Sequence, residues 1–273
     1  MKESSTVVTV RYALLGIMTL VVLVPLLGIV LASLHPAGAT VGGLSIPPAL
    51  SWENFALAWD EAGFAQLVGS SLIIAAGVVP LAVTLATCAA YGLAILKVPG
   101  HRMVTPAFVF GLTLPAELVV VALYFTLRSI GLSNSYLGII LAEVALFMPF
   151  GIYWMHAHFS TLPFDLVEAS RIDGAGSFTV LFRVLLPLSW PAMATLAVLY
   201  FMWSWNQFLL VLVLMQDPSK RTAPAGLGYF VSQYSTNIPL LSAASLIVIA
   251  PIVVVYLLFQ RSFVAGLTQG AIK

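Results

Sequence analysis

The chain has 273 residues, of which 61% are hydrophobic and only 8% charged, with 11 Lys plus Arg against 10 Asp plus Glu. A soluble globular chain carries roughly 45–50% apolar and about 25% charged residues, so this composition supplies neither a water-facing surface nor the polarity of a disordered chain. A net charge of +1 gives no concentrated basic face for nucleic acid, and the single cysteine, Cys88, excludes an intrachain disulfide and a thiolate metal cluster. The fold class that fits is an all-α polytopic membrane protein.

A helical span needs about 20 mostly apolar residues to cross a hydrocarbon core about 30 Å thick. No charged residue lies between Arg11 and Glu53, and residues 12–34 are predicted as the first span. Its basic start looks like that of a leader peptide, but its apolar run outlasts the 7–15 residues of a signal core and holds Pro25 in its middle, which predicts a retained helix. The outer loop that follows carries Trp52, Phe55 and Trp59, and is expected to hold a short amphipathic helix along the membrane face with its aromatic rings as interfacial anchors.

Residues 66–96, 104–127 and 136–155 supply the second, third and fourth spans, with Glu117 inside the third and Glu143 inside the fourth. An acid at mid-bilayer costs roughly 2.5–3.5 kcal/mol on insertion scales, while each surrounding Val, Leu or Phe returns about 0.3–0.6 kcal/mol. Both helices therefore insert, with their acids turned to protein or to a wet cavity. Two roles fit: lining of a solute path, or buried hydrogen bonding between helices. For Glu117, which follows Pro115, support of the backbone beside a kink fits as well. His156 and His158 stand two apart and do not share a helix face, so no metal site is expected from them.

Residues 158–190 are not a span. They hold Asp165, Glu168, Arg171, Asp173 and Arg183. Pro163 suits the first turn of a helix, where its missing N–H costs nothing, and Asp165 adds negative charge near the positive end of that helix. Glu168 and Arg171, three apart, share a surface, and Gly174 and Gly176 supply a stop. A second short helix is predicted over residues 177–185, bounded by Pro187 and Pro191. Ala169 and Ser170 are small enough for another surface to approach closely. This pattern fits a docking knob for a partner and a solvated loop equally well.

The fifth span falls within residues 193–215 and the sixth within 240–259. Trp203, Trp205, Asn206 and Gln207 lie in the middle of the fifth. Aromatic faces and amides suit sugar recognition, and amides also join helices in membranes, so path lining and structural use are both open. Lys and Arg concentrate in cytoplasmic loops. Placing both termini inside puts Lys2, Arg11, Lys97, Arg102, Arg171, Arg183, Arg261 and Lys273 in the cytoplasm and leaves Arg128, Lys220 and Arg221 outside.

The segment Glu168-Ala169-Ser170-Arg171-Ile172-Asp173-Gly174-Ala175, with nine residues between Gly174 and the later Val184-Leu185-Leu186-Pro187, resembles the EAA motif of ATP-binding-cassette (ABC) importer permeases. That motif runs E-A-A, three residues, G, nine residues, I-x-L-P, with Ser170 and Val184 here in place of Ala and Ile. Leu132-Ser133-Asn134-Ser135-Tyr136-Leu137-Gly138 is similar to the L-x-N-T-Y-x-G segment of the same family. Trp205-Asn206-Gln207-Phe208 is similar to its W-N-D/E-F element, with Gln in place of the usual acid. The ending, Gln260-Arg261 and Phe263 to Lys273, resembles that of MalG-like carbohydrate permeases.

The resemblance implies residues 1–273 as one transmembrane domain in a bacterial or archaeal cytoplasmic (inner) membrane. It implies a MalF-like second permease subunit, two cytoplasmic ABC ATPase subunits, an extracytoplasmic solute-binding protein and a sugar-like substrate. Glu168, Ala169, Ser170, Arg171, Asp173, Gly174, Leu186 and Pro187 would couple to the ATPase, with Glu168 docking on basic residues of its cleft and Gly174 making the turn. Glu117, Glu143, Trp203, Trp205, Asn206 and Gln207 are the substrate-path candidates. No phosphate loop, dinucleotide fingerprint, zincin or serine-hydrolase motif is present, so catalytic residues, metal and cofactor are expected to be absent from this chain, with ATP and Mg²⁺ bound by the partner ATPase. The competing reading is a stand-alone secondary transporter or channel that uses Glu117 and Glu143 for ion coupling. A membrane-embedded enzyme would need a polar cluster near one interface that the scattered residues do not form.

Overall fold

The computed structural model describes residues 5–231 and 236–269, with the side chains of residues 5, 6, 116 and 261–269 excepted. Lys2, Lys273 and the side chains of the predicted tail signature from Arg261 onward lie outside the described residues. In chain order the helices are α1 (Ser5–Ser33), α2 (Glu53–Glu61), α3 (Phe64–Ala94), α4 (His101–Gly111), α5 (Ala116–Ser129), α6 (Tyr136–Thr161), α7 (Asp165–Ile172) and α8 (Ser177–Thr179). A wide π-helical stretch, Val180–Leu185, joins α8 to α9 (Leu186–Trp205), and α10 (Leu209–Leu214), α11 (Ala223–Gly226) and α12 (Ile238–Gln269) follow. The architecture is all-α, as expected.

Five helices among the described residues are long and apolar enough to cross a membrane: Val7–Ser33, Phe64–Ala94, Tyr136–Thr161, Ser177–Trp205 and Ile238–Gln260. Two expected spans come out differently. Residues 104–127 are split, with α4 ending at Gly111 and α5 starting at Ala116 after Pro115, whose backbone is extended (ψ 124°). Proline disfavours helix for the residue before it, and its ring would meet the carbonyl four residues back. Thr113 meanwhile donates its hydroxyl to the Phe110 carbonyl at 2.7 Å, a local bond that competes with helix continuation.

The fifth span is displaced toward the N-terminus. Ser177–Trp205 is one helix of 29 residues, so Pro187 and Pro191 do not bound a separate element. Pro191, like Pro80 and Pro149, stands inside regular α-helix, and ahead of Pro187 lies the wide stretch. A π turn shifts the hydrogen-bond register by one residue, which relieves a proline ring of the carbonyl it would otherwise strike.

The contacts of the chain divide it into two compact units, Met1–Ala65 with Gly226–Ala250, and Gln66–Ala225 with Pro251–Lys273. In the first, α1 is exposed along residues 9–27. The loop after it is organised by a fully buried Asn54, whose amide donates to the carbonyls of Ser33 and His35, each at 2.7 Å. α2 is the predicted amphipathic helix. It buries Ala58 and leaves Trp52, stacked on Phe55, and Trp59 exposed.

In the second unit α3, α6 and α9 meet at small residues, as helices in lipid do when close backbone approach replaces hydrophobic drive. Gly151 of α6 is the tightest point: a methyl group there would overlap the Tyr200 hydroxyl of α9 and come within 2.8 Å of Ala86 of α3. The absent side chain lets Tyr200 donate to the Phe147 carbonyl at 2.8 Å and stack on the Phe147 ring at 5.3 Å.

Candidate functional site

The stretch between α6 and α9 folds into the predicted helix and glycine turn, followed by the start of the Ser177–Trp205 helix. α6 ends where Leu162 turns extended ahead of Pro163, and α7 begins with Asp165, with Asp165 and Glu168 both in the first turn, facing the positive helix end. One side of α7 is anchored. Val167 is 1% exposed and packs against the wide stretch whose Val180, Leu181 and Leu185 are also buried. The rest faces outward: Glu168, Ala169, Arg171 and Asp173 are exposed, Ser170 is half-buried, and Ile172 is 86% exposed. Glu168 makes no ion pair with any described residue.

Backbone geometry ends α7. Gly174 has φ +81°, and its N–H donates to the Arg171 carbonyl at 3.0 Å while the Ala175 N–H reaches the Ser170 carbonyl at 2.9 Å. These two bonds form a Schellman motif, which closes a helix through a left-handed residue. Nothing lies within 4 Å of where a Cβ at Gly174 would sit, so glycine is needed there for its conformation and not for room. Leu186 and Pro187, the last motif positions, open α9 directly after the wide stretch.

Two residues outside the motif hold this segment, and sequence reasoning did not single them out. Tyr91, near the end of α3, donates its hydroxyl to the Ser177 carbonyl at 2.9 Å. Lys97, three residues past α3, holds its ammonium over the Phe164 ring, 5.8 Å from the centroid. The run Lys97-Val98-Pro99-Gly100 signals a turn after α3, but nothing local shows that its lysine reaches back to Phe164.

The substrate-path candidates are not brought together. Glu117 is exposed, in the first turn of α5, where a carboxylate complements the unpaired N–H groups beside Pro115. Glu143 of α6 is fully buried and faces the buried Ser204 hydroxyl of α9, but among the described residues neither of its oxygens nor that hydroxyl makes a well-formed hydrogen bond. Trp203 is half-buried in an aromatic cluster, 4.8 Å from Phe150 and 5.5 Å from Phe147. Trp205 is fully buried and stacks on Phe201 at 5.6 Å.

Asn206 and Gln207 instead occupy the break between α9 and α10. The exposed Asn206 amide donates to the Met202 carbonyl at 2.8 Å, and the Gln207 carbonyl accepts from Thr222 at 3.3 Å. Irregular backbone at membrane depth is tolerated where protein or a wet cavity surrounds it. Among the described residues no group of three or more His, Cys, Asp or Glu could hold a metal ion, and His158 is bonded to Ser189 at 3.1 Å.

The segment Leu132 to Gly138 has a structural use. Ser135 caps α6, accepting from the Gly138 N–H at 3.0 Å. Asn134, at φ +54°, bonds through its N–H to the Leu214 carbonyl and through its side chain to the Asp217 N–H. Tyr136 shares a 2.8 Å hydroxyl bond with Ser70 of α3. The motif thus fixes where α6 begins relative to α3 and the end of α10.

Comparison with known proteins agrees with this architecture. Residues 79–269 match the family described as "Binding-protein-dependent transport system inner membrane component". The diacetylchitobiose uptake system permease protein NgcG of Streptomyces coelicolor is 34% identical, over 97% of this chain and 88% of that one. The trehalose transport system permease protein SugB of Mycobacterium tuberculosis is 34% identical over 92% of each chain. Among solved structures, a chain of a bacterial ABC transporter involved in the import of the acidic polysaccharide alginate superposes with a TM-score of 0.82, covering 96% of this chain and 99% of that chain at 21% identity, which shows a common fold.

Proposed function

This chain belongs to the inner membrane components of binding-protein-dependent transport systems, and from that premise we propose that it is the MalG-like permease subunit of an ATP-driven importer of a sugar or sugar-like solute. Its partners are a MalF-like second permease, two cytoplasmic ATPase subunits that bind ATP and Mg²⁺, and an extracytoplasmic binding protein. The chain itself is non-catalytic. The stand-alone transporter is not favoured, because the family and the relatives are components of multi-subunit systems.

Residues 1–273 act as one transmembrane domain in which α4 and α5 together make a sixth, broken crossing, so that both termini lie in the cytoplasm, a topology supported by the distribution of Lys and Arg. The observation that carries the proposal is the exposed α7, pinned by Val167 and closed by the Gly174 turn. Glu168 and Arg171 present opposite charges at its surface, and Ile172 an apolar tip, while Ala169 and Ser170 leave room for a cleft to close around them. The helix that follows runs unbroken from the docking segment at Ser177 to Trp205, so a push on α7 is delivered along a lever. Asn206 and Gln207, where that lever ends, stay the preferred path candidates. Trp203, Trp205 and Glu143 hold the helices that carry it.

The test is Gly174→Asp in the reconstituted importer. Aspartate at this φ is strained by about 1 kcal/mol, less than most L residues, and its carboxylate sits unfavourably at the negative C-terminal end of α7, which together misplace the helix. The variant should insert and fold normally yet lose solute-stimulated ATP hydrolysis; full stimulation would refute the docking role.

A further inference from the structure

We infer that Tyr91 and Lys97, at the inner end of α3, clamp both ends of the docking segment, so that α3 receives the motion of the ATPase together with the Ser177–Trp205 helix. This deepens the coupling role proposed above and rests on it. The two contacts bracket α7. Phe164, under the Lys97 ammonium, immediately precedes the first residue of α7, and Ser177, which accepts from Tyr91, follows the glycine turn and opens the next helix.

Both grips come from one stiff piece of backbone. The Tyr91 carbonyl accepts the N–H groups of Ile95 and Leu96 at 3.0 and 3.1 Å, and the Gly92 carbonyl accepts that of Val98 at 3.1 Å. Lys97 adopts φ +48° within this hook, a conformation uncommon outside glycine, which aims its side chain back at Phe164. The Tyr91 ring, 5% exposed, is seated edge-on against Phe159 at 6.4 Å, so its hydroxyl has a defined position.

Val167 alone would let α7 pivot on the wide stretch beneath it. A hydroxyl–carbonyl bond at one end and a cation over an aromatic face at the other remove that pivot. Tyr91 and Lys97 are accordingly positioning residues: they act on the coupling helix through Ser177 and Phe164.

The experiment uses the full importer in proteoliposomes with its binding protein and compares wild type, Tyr91→Phe, Lys97→Ala, Lys97→Arg and the double variant Tyr91→Phe/Lys97→Ala. Phenylalanine keeps the ring against Phe159 and deletes only the hydroxyl. Each single deletion should lower solute-stimulated ATP turnover about threefold and the double about tenfold, the scale of losing one hydrogen bond and one cation–π contact. Co-elution of the ATPase, the basal hydrolysis rate and the KM for ATP should stay at wild-type values while the stimulated kcat falls, and the melting temperature should drop by only a few degrees. Lys97→Arg should restore coupling, since a guanidinium also stacks on a ring.

Wild-type stimulation in the double variant overturns the clamp, and so does a loss of ATPase co-elution, which would make these residues part of assembly instead. Gly174→Asp in the same preparation separates the two levels. If it abolishes stimulation while the double variant is silent, only the clamp fails; if it too is silent, the docking role fails with it.

Discussion

The proposed docking segment and the membrane-embedded stretch around Glu143 and Trp203 use their polar and aromatic residues in opposite ways. In the docking segment the charged residues are exposed, a single apolar residue of α7 is buried, and the shape is set by backbone bonds around Gly174. In the interior the side chains that look most like a binding site are packed against each other: Phe147 on Tyr200, Trp203 on Phe150, Trp205 on Phe201. Aromatic rings in lipid gain by edge and stacked contacts with other rings as readily as by sugar faces. Exposure in a region that spends little on its own packing is therefore the better mark of a partner site than aromatic content.

The largest effect that would sharpen this contrast is at Gly151. Gly151→Leu drives a side chain into Tyr200 and Ala86, displaces the hydroxyl from the Phe147 carbonyl and separates three helices. Overpacking of this kind costs about 3 kcal/mol or more. The purified importer should melt roughly 6–12 °C lower, on the scaling for chains of this size, with transport lost in proportion to folded protein. Gly174→Asp is its counterpart: coupling disappears while the melt falls by only about 2–4 °C, the scale of its backbone strain. If Gly151→Leu left the melting temperature unchanged, the interior would not be the packed junction described here.

Next in size is Glu143→Gln. A buried polar group without partners costs about 1–3 kcal/mol. Glutamine keeps the shape, carries no charge and brings an amide that can donate toward the Ser204 hydroxyl. The variant should melt about 2–4 °C higher for each kcal/mol recovered and should transport as wild type. A collapse of transport with an unchanged melt would move Glu143 from helix packing to the solute path and break the comparison at its centre.

How much of this was legible in the sequence follows from the range of each determinant. The charge-free run after Arg11 marks α1, and the spacing from Glu168 through Gly174 to Pro187 marks the docking segment. Each signal is contained in the residues that make it. Prolines were ambiguous. Pro115 breaks a helix, Pro187 follows a wide stretch, and Pro80, Pro149 and Pro191 stand inside regular α-helix, differences that no residue type announces. The clamp was invisible for a different reason: Tyr91 and Ser177 lie 86 positions apart, and a tyrosine at the end of a span reads as an interfacial anchor. Glu143 reads from the sequence as an acid in lipid, but its complete burial opposite Ser204 is a property of packing.

The smallest effect concerns Asp217, an exposed acid that is the opposite of Glu143 in every respect. Its carboxylate accepts from the Ser219 hydroxyl at 2.7 Å and the Ser219 N–H at 3.0 Å, and Lys220 stands 4.0 Å away. The bonds from Ser219 are the main reason its carboxyl titrates below the ordinary carboxylate range, with Lys220 and Arg221 adding to them. A group whose pKa is lower folded than unfolded stabilises the fold above the unfolded value and loses that contribution as pH falls through the folded one. Stability from Asp217 is thus complete at neutral pH and fades only in acid below about pH 4. Solvent screens such an exposed group, so Asp217→Asn should shift the neutral-pH melt by no more than the scatter of the measurement and flatten only the acid limb of the melting profile. A large neutral-pH drop would mean that the loop around Asp217, bonded through its N–H to the Asn134 side chain, carries more of the fold than its exposure suggests. The contrast between a satisfied surface acid and an orphaned buried one would then have to be redrawn around that loop.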